Sequence, residues 1–172
     1  MKKCVFLDRD GVLNEEIDDY ISKKEEFIIR DGVIEGLTML KQAGYLLIVI
    51  TNQAGIAKGL YDEKFVEDLH EILQQKCGRI IDDLYFSKHH PQFTSNSLLR
   101  KPDSLMIEKA MAKYRIDSTQ SFMIGDAERD VKAGKKAGVH TIHITGGKEM
   151  SNLADWQFPS LLEASRFIIT QS

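Results

Sequence analysis

Short apolar runs alternate with amphipathic stretches along almost the whole chain. This strand-then-helix rhythm signals a parallel sheet covered by helices. Five runs read as buried strands: Cys4–Asp8, Tyr45–Asn52, Leu84–Ser87, Ser121–Asp126 and Thr141–Thr145. Each is short and rich in β-branched or aromatic side chains, as strands covered on both faces are. Between them, Val33–Gln42 places Ile34, Leu37 and Leu40 at helical spacing and stops at Gly44. Asp62 is positioned to cap a helix with Phe65, Leu69, Ile72 and Leu73 on one face. Lys101-Pro102 reads as the start of a third helix carrying Leu105, Ile107, Met111 and Tyr114. A shorter helix runs from about Arg129 to near Gly138, and a last one lies near Leu161–Ile169. No repeat or linker interrupts the pattern, so residues 1–172 are expected to form one Rossmann-like, three-layer α/β/α domain with a central parallel sheet.

Two stretches break the rhythm and read as loops: Asn14–Arg30, charged without periodicity, and Lys88–Arg100, polar with a proline. Both follow the carboxyl ends of expected strands, where this architecture shapes its ligand sites. Composition narrows the setting. The chain is 42% hydrophobic and 28% charged, enough for a real core, and its net charge of −3 gives no support to nucleic-acid binding or to an anionic membrane as the main partner. The longest apolar run, Tyr45–Ile50, has strand length and cannot span a bilayer. Lys2 and Lys3 lead directly into a strand-like segment, and the two cysteines, Cys4 and Cys77, form neither a framework nor a CxxC pair. A reducing, cytoplasmic location is therefore expected.

Four polar clusters sit where expected strands end. Asp8-Arg9-Asp10-Gly11 follows the first strand. Two carboxylates so close together repel unless a cation or proton lies between them, and Gly11 permits a sharp turn. Thr51-Asn52-Gln53 ends the second strand with a hydroxyl and two amides, donors suited to phosphate oxygens. Arg100-Lys101-Pro102 presents adjacent cations at an expected helix start, a position that already attracts anions. Asp126 ends the fourth strand with Asp130 one helical turn on, an arrangement able to complete an oxygen-ligand set for a hard cation such as Mg²⁺. Each cluster alone is also a plausible polar turn or a solvated charge pair. Their common placement in one order along the chain is far more specific.

This set of motifs resembles the haloacid dehalogenase-like phosphohydrolases. Within them, Leu7 to Gly11, Thr51 to Gly59, His89-His90-Pro91, Arg100-Lys101-Pro102 and Ala154-Asp155-Trp156 are similar to the branch of heptose bisphosphate and histidinol-phosphate phosphatases, with Gly55 to Gly59 favouring the heptose side. The resemblance implies Asp8 as nucleophile, Asp10 as general acid and base, and Thr51 and Lys101 as ligands of the transferred phosphoryl group. It implies Mg²⁺ held by Asp8, the Asp10 backbone carbonyl and Asp126, with Asp130 ordering metal-bound water. Substrate contacts are expected from Arg9, Asp18, Asp19, Tyr20, Asn52, Gln53, Lys58 and Arg100. The implied substrate is a small phosphorylated metabolite, heptose 1,7-bisphosphate losing its 7-phosphate. The alternatives are histidinol phosphate, a broader range of sugar phosphates, or a non-catalytic phosphate-binding module.

Two departures from that branch shape further expectations. Relatives often hold a structural zinc in the loop before the Arg-Lys pair, but here the corresponding positions are Ser87, His89, Ser97 and Leu99. One ligand cannot hold tetrahedral Zn²⁺, so no structural zinc is expected, and packing of Phe93, Leu98 and Leu99 is expected to order the loop. Ala127 stands where heptose enzymes often carry a lysine. The intervals between Asp10, Thr51 and Lys101 leave no room for a separate cap domain, and the chain is expected to act as a monomer. His140 and His143 lie an odd number of residues apart in one strand and so face opposite sides of the sheet.

Overall fold

Successive side chains along each strand enter opposite hydrophobic layers, and those two layers define the architecture. In the computed structural model, which describes residues 1–146 and 152–171, the elements follow in the order β1 (Cys4–Leu7), α1 (Val33–Gln42), β2 (Leu46–Asn52), α2 (Glu63–Lys76) and β3 (Asp83–Ser87). They continue with α3 (Leu105–Tyr114), β4 (Phe122–Gly125), α4 (Glu128–Ala137), β5 (His140–Ile144), β6 (Trp156–Phe158) and α5 (Leu161–Thr170). The sheet order is β3-β2-β1-β4-β5-β6, and every pairing is parallel. Val5, Leu7, Leu47, Val49, Phe122 and Ile124 pack in one layer with Leu37, Leu69 and Leu161 of α1, α2 and α5. Cys4, Phe6, Ile48, Ile50 and Met123 pack in the other with Met106 and Ile107 of α3 and Ala133 of α4. The result is a Rossmann-like α/β/α sandwich whose period-2 alternation assigns each side chain to its layer.

Chain direction reverses about β1, which lies between β2 and β4. A crevice opens at the carboxyl ends of strands around such a switch point. Thr51-Asn52 arrives there at the end of β2, and Asp8 and Asp126 directly after β1 and β4. The connection from β1 to α1 contains, among named elements, a single 3-10 turn at Lys24–Glu26. Among the described residues, no helix is long and apolar enough to cross a membrane.

Most expected elements appear with their boundaries shifted by a residue or two. Asp62 caps α2 as the sequence suggests, its carboxylate accepting from Phe65 N at 2.8 Å. Three differences are instructive. The third helix starts at Leu105 behind Ser104, not at Lys101, because the residue before a proline is disfavoured in helical conformation. A sixth strand, β6, pairs with β5. It is only three residues long, too short to carry a period-2 pattern. Of the side chains expected to pack the 88–100 loop, Leu99 meets the core and Phe93 lies edge-on to His90 at 5.1 Å, while Leu98 is 66% exposed. Polar bonds order it as well: Arg100 Nη1 donates to His89 O at 3.1 Å, His90 N to Thr94 Oγ1 at 3.0 Å, and Leu99 N to Ser97 Oγ at 3.2 Å.

The histidines behave as the strand geometry requires, His140 exposed and His143 buried. Burial pushes the Cys4 thiol well above its ordinary pKa, so it is an unreactive core group. Asp155 ties β6 to β5. Its Oδ2 accepts from both Thr141 N and Thr141 Oγ1 at 2.7 Å, and Thr141 is fully buried. Asp155→Ala leaves both donors without that partner and is expected to cost about 1–3 kcal/mol. Denaturant titration checks this. A change within error would show that the strand edge repairs itself.

Candidate active site

Asp8 stands one residue beyond the end of β1, 3% exposed. Its Oδ1 accepts from Arg9 N at 2.7 Å and lies 2.9 Å from Lys101 Nζ. The same ammonium is 2.6 Å from Asp130 Oδ1 and donates to Ile50 O at 2.7 Å. Through one hydrogen bond and two ion pairs this buried cation joins the end of β2 to β1 and α4. Asp130 Oδ2 in turn accepts from Ala127 N at 3.1 Å, fixing the first turn of α4. Lys101 is held by its backbone as well: Lys101 N donates to Asn52 Oδ1 and Asn52 Nδ2 donates to Lys101 O, both at 3.0 Å.

Oxygen atoms of Asp8, Asp126 and Asp130 lie within 4.8 Å of one another. Three carboxylates face the Lys101 ammonium there, with the Arg129 guanidinium also acting on all three, and the remaining imbalance is visible in Asp8. Burial first and the charge of Asp130 next push its pKa up to about 7, against the pull of Lys101. A set of hard oxygen donors short of positive charge fits Mg²⁺. Gly11 makes the approach possible: its φ is +83°, and a Cβ there would lie 2.1 Å from Asp126 Oδ2. Because the ion binds the ionised carboxylate, affinity for Mg²⁺ is expected to rise about tenfold per pH unit below about 7 and to level off above it. Calorimetric titration across that range checks the slope. A flat profile would show that Asp8 is already ionised without metal.

Asp10 is held differently. Arg9 contacts both its oxygens, with Nε and Nη2 at 3.1–3.2 Å, while Asn14 Nδ2 and Gln53 Nε2 each donate at 3.0 Å. Burial acts to raise its pKa, but the Arg9 charge and these bonds together bring it below the ordinary carboxylate value. Asp10 is therefore ionised and oriented.

The expected substrate contacts fall into distinct places. Arg9 is 2% exposed, turned onto Asp10 and Gln53 with its guanidinium 5.6 Å from the Phe27 ring centre. Gln53 is equally buried, and Asn52 spends its amide on Lys101. Even so, Arg9 and Gln53 line a cavity of about 140 Å³ with Asp10, Asp19, Tyr20, Asn52, Tyr61 and Arg129. Asp18 faces a neighbouring cleft of about 400 Å³, shared with Gly11, Arg30 and Asp126. Lys58 is exposed, its ammonium 4.7 Å from the Tyr20 ring centre and 5.3 Å from that of Phe93. It thereby links three loops at the mouth of the site. Asn14 and Tyr61 were not singled out by sequence reasoning. Asn14 carried a faint signal, four residues after Asp10, whereas Tyr61 carried none.

The geometry can be set beside known proteins. A family model described as "HAD-hyrolase-like" matches residues 98–163. A D-glycero-D-manno-heptose-1,7-bisphosphate 7-phosphatase of Chlorobaculum tepidum is 36% identical over 166 residues, covering 89% of this chain and 83% of the relative. The D-glycero-beta-D-manno-heptose-1,7-bisphosphate 7-phosphatase of Helicobacter pylori is 43% identical over 142 residues, covering 80% of each chain. The crystal structure of a D,D-heptose 1,7-bisphosphate phosphatase from B. bronchiseptica, complexed with magnesium and phosphate, superposes with a TM-score of 0.88 at 23% identity, covering 99% of both chains. That last likeness shows the shared fold, and the sequence relatives carry the assignment: with Asp8, Lys101 and the acidic cluster gathered at one switch point, the chain belongs to the haloacid dehalogenase-like phosphatases.

Proposed function

We propose that this phosphatase removes the 7-phosphate of D-glycero-D-manno-heptose 1,7-bisphosphate through an aspartyl-phosphate on Asp8. The observation that carries the reading is the joining of Asp8, Lys101 and Asp130 by contacts of 2.6–2.9 Å, with Asp10 two residues away in its own hydrogen-bonded socket. A binding module has no need of a buried, aimed carboxylate beside a second one oriented for proton transfer. The identity to relatives named as heptose bisphosphate 7-phosphatases supports the substrate.

In the first step an Asp8 carboxylate oxygen attacks phosphorus, the bond from phosphorus to the sugar oxygen breaks, and Asp10 gives that oxygen a proton. In the second, Asp10 takes a proton from water, the water oxygen attacks phosphorus, and Asp8 is released with inorganic phosphate. The ionised Asp10 is the form required for this second step. Entry of a phosphate dianion beside it raises its pKa and favours the acid form needed for the first. Lys101 holds Asp8 in line, and the Thr51 hydroxyl stands ready at the end of β2 to donate to a phosphoryl oxygen. Asp8, Asp126 and the Asp10 carbonyl would hold Mg²⁺, with Asp130 ordering its water, and the bound ion would neutralise charge between nucleophile and phosphate. Lys58, Arg100 and Arg129 offer cations to the remote phosphate, and Arg129 stands two residues from Ala127 in the sequence. The same reading places the protein in the cytoplasm, as a monomer without a separate cap and without a structural zinc.

The test is a comparison of kcat/KM for heptose 1,7-bisphosphate, histidinol phosphate and hexose phosphates. Heptose bisphosphate is expected to lead by at least about tenfold, a margin one charged contact supplies. A lead for histidinol phosphate would overturn the substrate assignment and leave the phosphatase chemistry in place.

A further inference from the structure

Gln53 is one of the few buried side chains whose every hydrogen-bonding position is used. Oε1 accepts from Tyr61 OH at 2.8 Å and from Arg9 Nη2 at 3.2 Å. Nε2 donates to Asp10 Oδ2 at 3.0 Å and to Thr51 Oγ1 at 2.8 Å. A primary amide offers two acceptor lone pairs and two protons, so the set is complete. It is also directional. Arg9, which can only donate, lies on one side together with the Tyr61 hydroxyl, and the Asp10 carboxylate lies on the other. The amide can therefore sit in one orientation only, with its NH₂ towards Asp10 and Thr51. Accepting that bond commits a Thr51 lone pair and leaves the Thr51 proton free for another acceptor.

We propose that Tyr61 is a positioning residue for proton transfer: its hydroxyl fixes the Gln53 amide, which in turn holds the Asp10 carboxylate at the leaving group. The inference rests on the role given to Asp10 above. Tyr61 is suited to the task by its packing. Its ring lies on Gly55, where a Cβ would come within 2.3 Å of Tyr61 Cε1, and 5.4 Å from the Phe65 ring centre. Glycine at 55 thus makes room for the ring, and the ring brings its hydroxyl to Gln53. Burial raises the pKa of the phenol to about 12, which keeps it a donor throughout the working range. Tyr61 also lines the cavity that Asp10 faces, so substrate entry and the hydrogen-bonded chain share one wall.

Tyr61→Phe separates the hydroxyl from the packing, because the ring keeps its place on Gly55 and Phe65. Heptose 1,7-bisphosphate needs its leaving oxygen protonated, whereas p-nitrophenyl phosphate has a leaving group stable as the anion. kcat/KM reads only the steps through loss of that leaving group, so the two substrates report with and without the proton. The variant is expected to lose at least about tenfold in kcat/KM on heptose bisphosphate and less than about threefold on p-nitrophenyl phosphate, with an unchanged melting temperature. Gln53→Met, which keeps the length and removes the amide, is expected to widen that gap. Equal losses on both substrates would mean a merely structural role and overturn the proposal, as would wild-type activity on both. If the wild type does not turn over heptose bisphosphate, the substrate reading fails by itself, and the comparison is made with β-glycerol phosphate as the alkyl substrate. Retained activity in Asp8→Asn would instead remove the reading on which the roles rest.

Discussion

Asp8→Asn is expected to lower turnover by at least about a thousandfold and to leave the fold intact, with a melting temperature in metal-free buffer equal to or above that of the parent enzyme. Both halves follow from the surroundings of the side chain. Asparagine retains an oxygen that can accept from Arg9 N and Lys101 Nζ as the Asp8 oxygen does at 2.7 and 2.9 Å. What it loses is a negative charge that the protein holds at a cost, since burial and Asp130 already push the Asp8 pKa to about 7. Removing that charge relieves the cluster, with Lys101 still matched by Asp130 at 2.6 Å. An amide oxygen is a poor nucleophile, and no other carboxylate stands in its place at the end of β1, so chemistry stops while structure gains. Steady-state kinetics with circular dichroism and thermal melting measure the two together. Substantial residual turnover would assign the nucleophile elsewhere, and a misfolded variant would show that the charge supports the fold.

Lys101→Met is expected to have the opposite effect on stability. The methionine stem fills much of the space of a side chain that is fully buried, so packing is largely conserved. The charge is not replaced. Asp8, Asp126 and Asp130, with oxygens within 4.8 Å of one another, then share a site with Asp8 and Asp130 buried and with only the Arg129 guanidinium acting on them. Removing one partner of a buried ion pair costs about 3–5 kcal/mol, which for a chain of this length lowers the melting temperature by roughly 6–20 °C. Because Mg²⁺ supplies positive charge to the same carboxylates, most of that loss is expected to return when the ion is added, whereas activity is not. Melting curves with chelator and with millimolar Mg²⁺ measure the difference. Equal destabilisation in both conditions would show that Lys101 acts through packing and not as the counter-charge of the metal site.

The two variants together explain why part of the site could be read early. Asp8, Asp10, Thr51 and Asp126 sit at or just beyond strand ends, and strand ends follow from the hydrophobic pattern. Arg9 shows the limit of that logic. Its place in the motif suggests a substrate contact, and it does line the cavity beside Asp10, but the direction of its guanidinium, onto Asp10 and the Phe27 ring, follows only from packing. Lys101 was expected at a helix start. It stands before the helix instead, held by Asn52, and its ammonium is directed to carboxylates from two other elements. Asn52 and Gln53, expected to bind substrate, both line that cavity, and their amides are bonded within the protein.

The amino-acid sequence by itself determined the strand and helix succession, the parallel sheet and the placing of the four chemical clusters at its carboxyl edge. These depend on local periodicity, on turn residues and on the layer each side chain must enter. Tertiary structure alone decided which polar groups meet: the Lys101 bridge between Asp8 and Asp130, the Tyr61–Gln53–Asp10 chain, the sixth strand at the sheet edge and the polar ordering of the 88–100 loop. Each joins residues far apart along the chain or depends on the direction of a single donor or acceptor. Periodicity carries neither distance nor hydrogen-bond polarity, and both are set only when the elements pack.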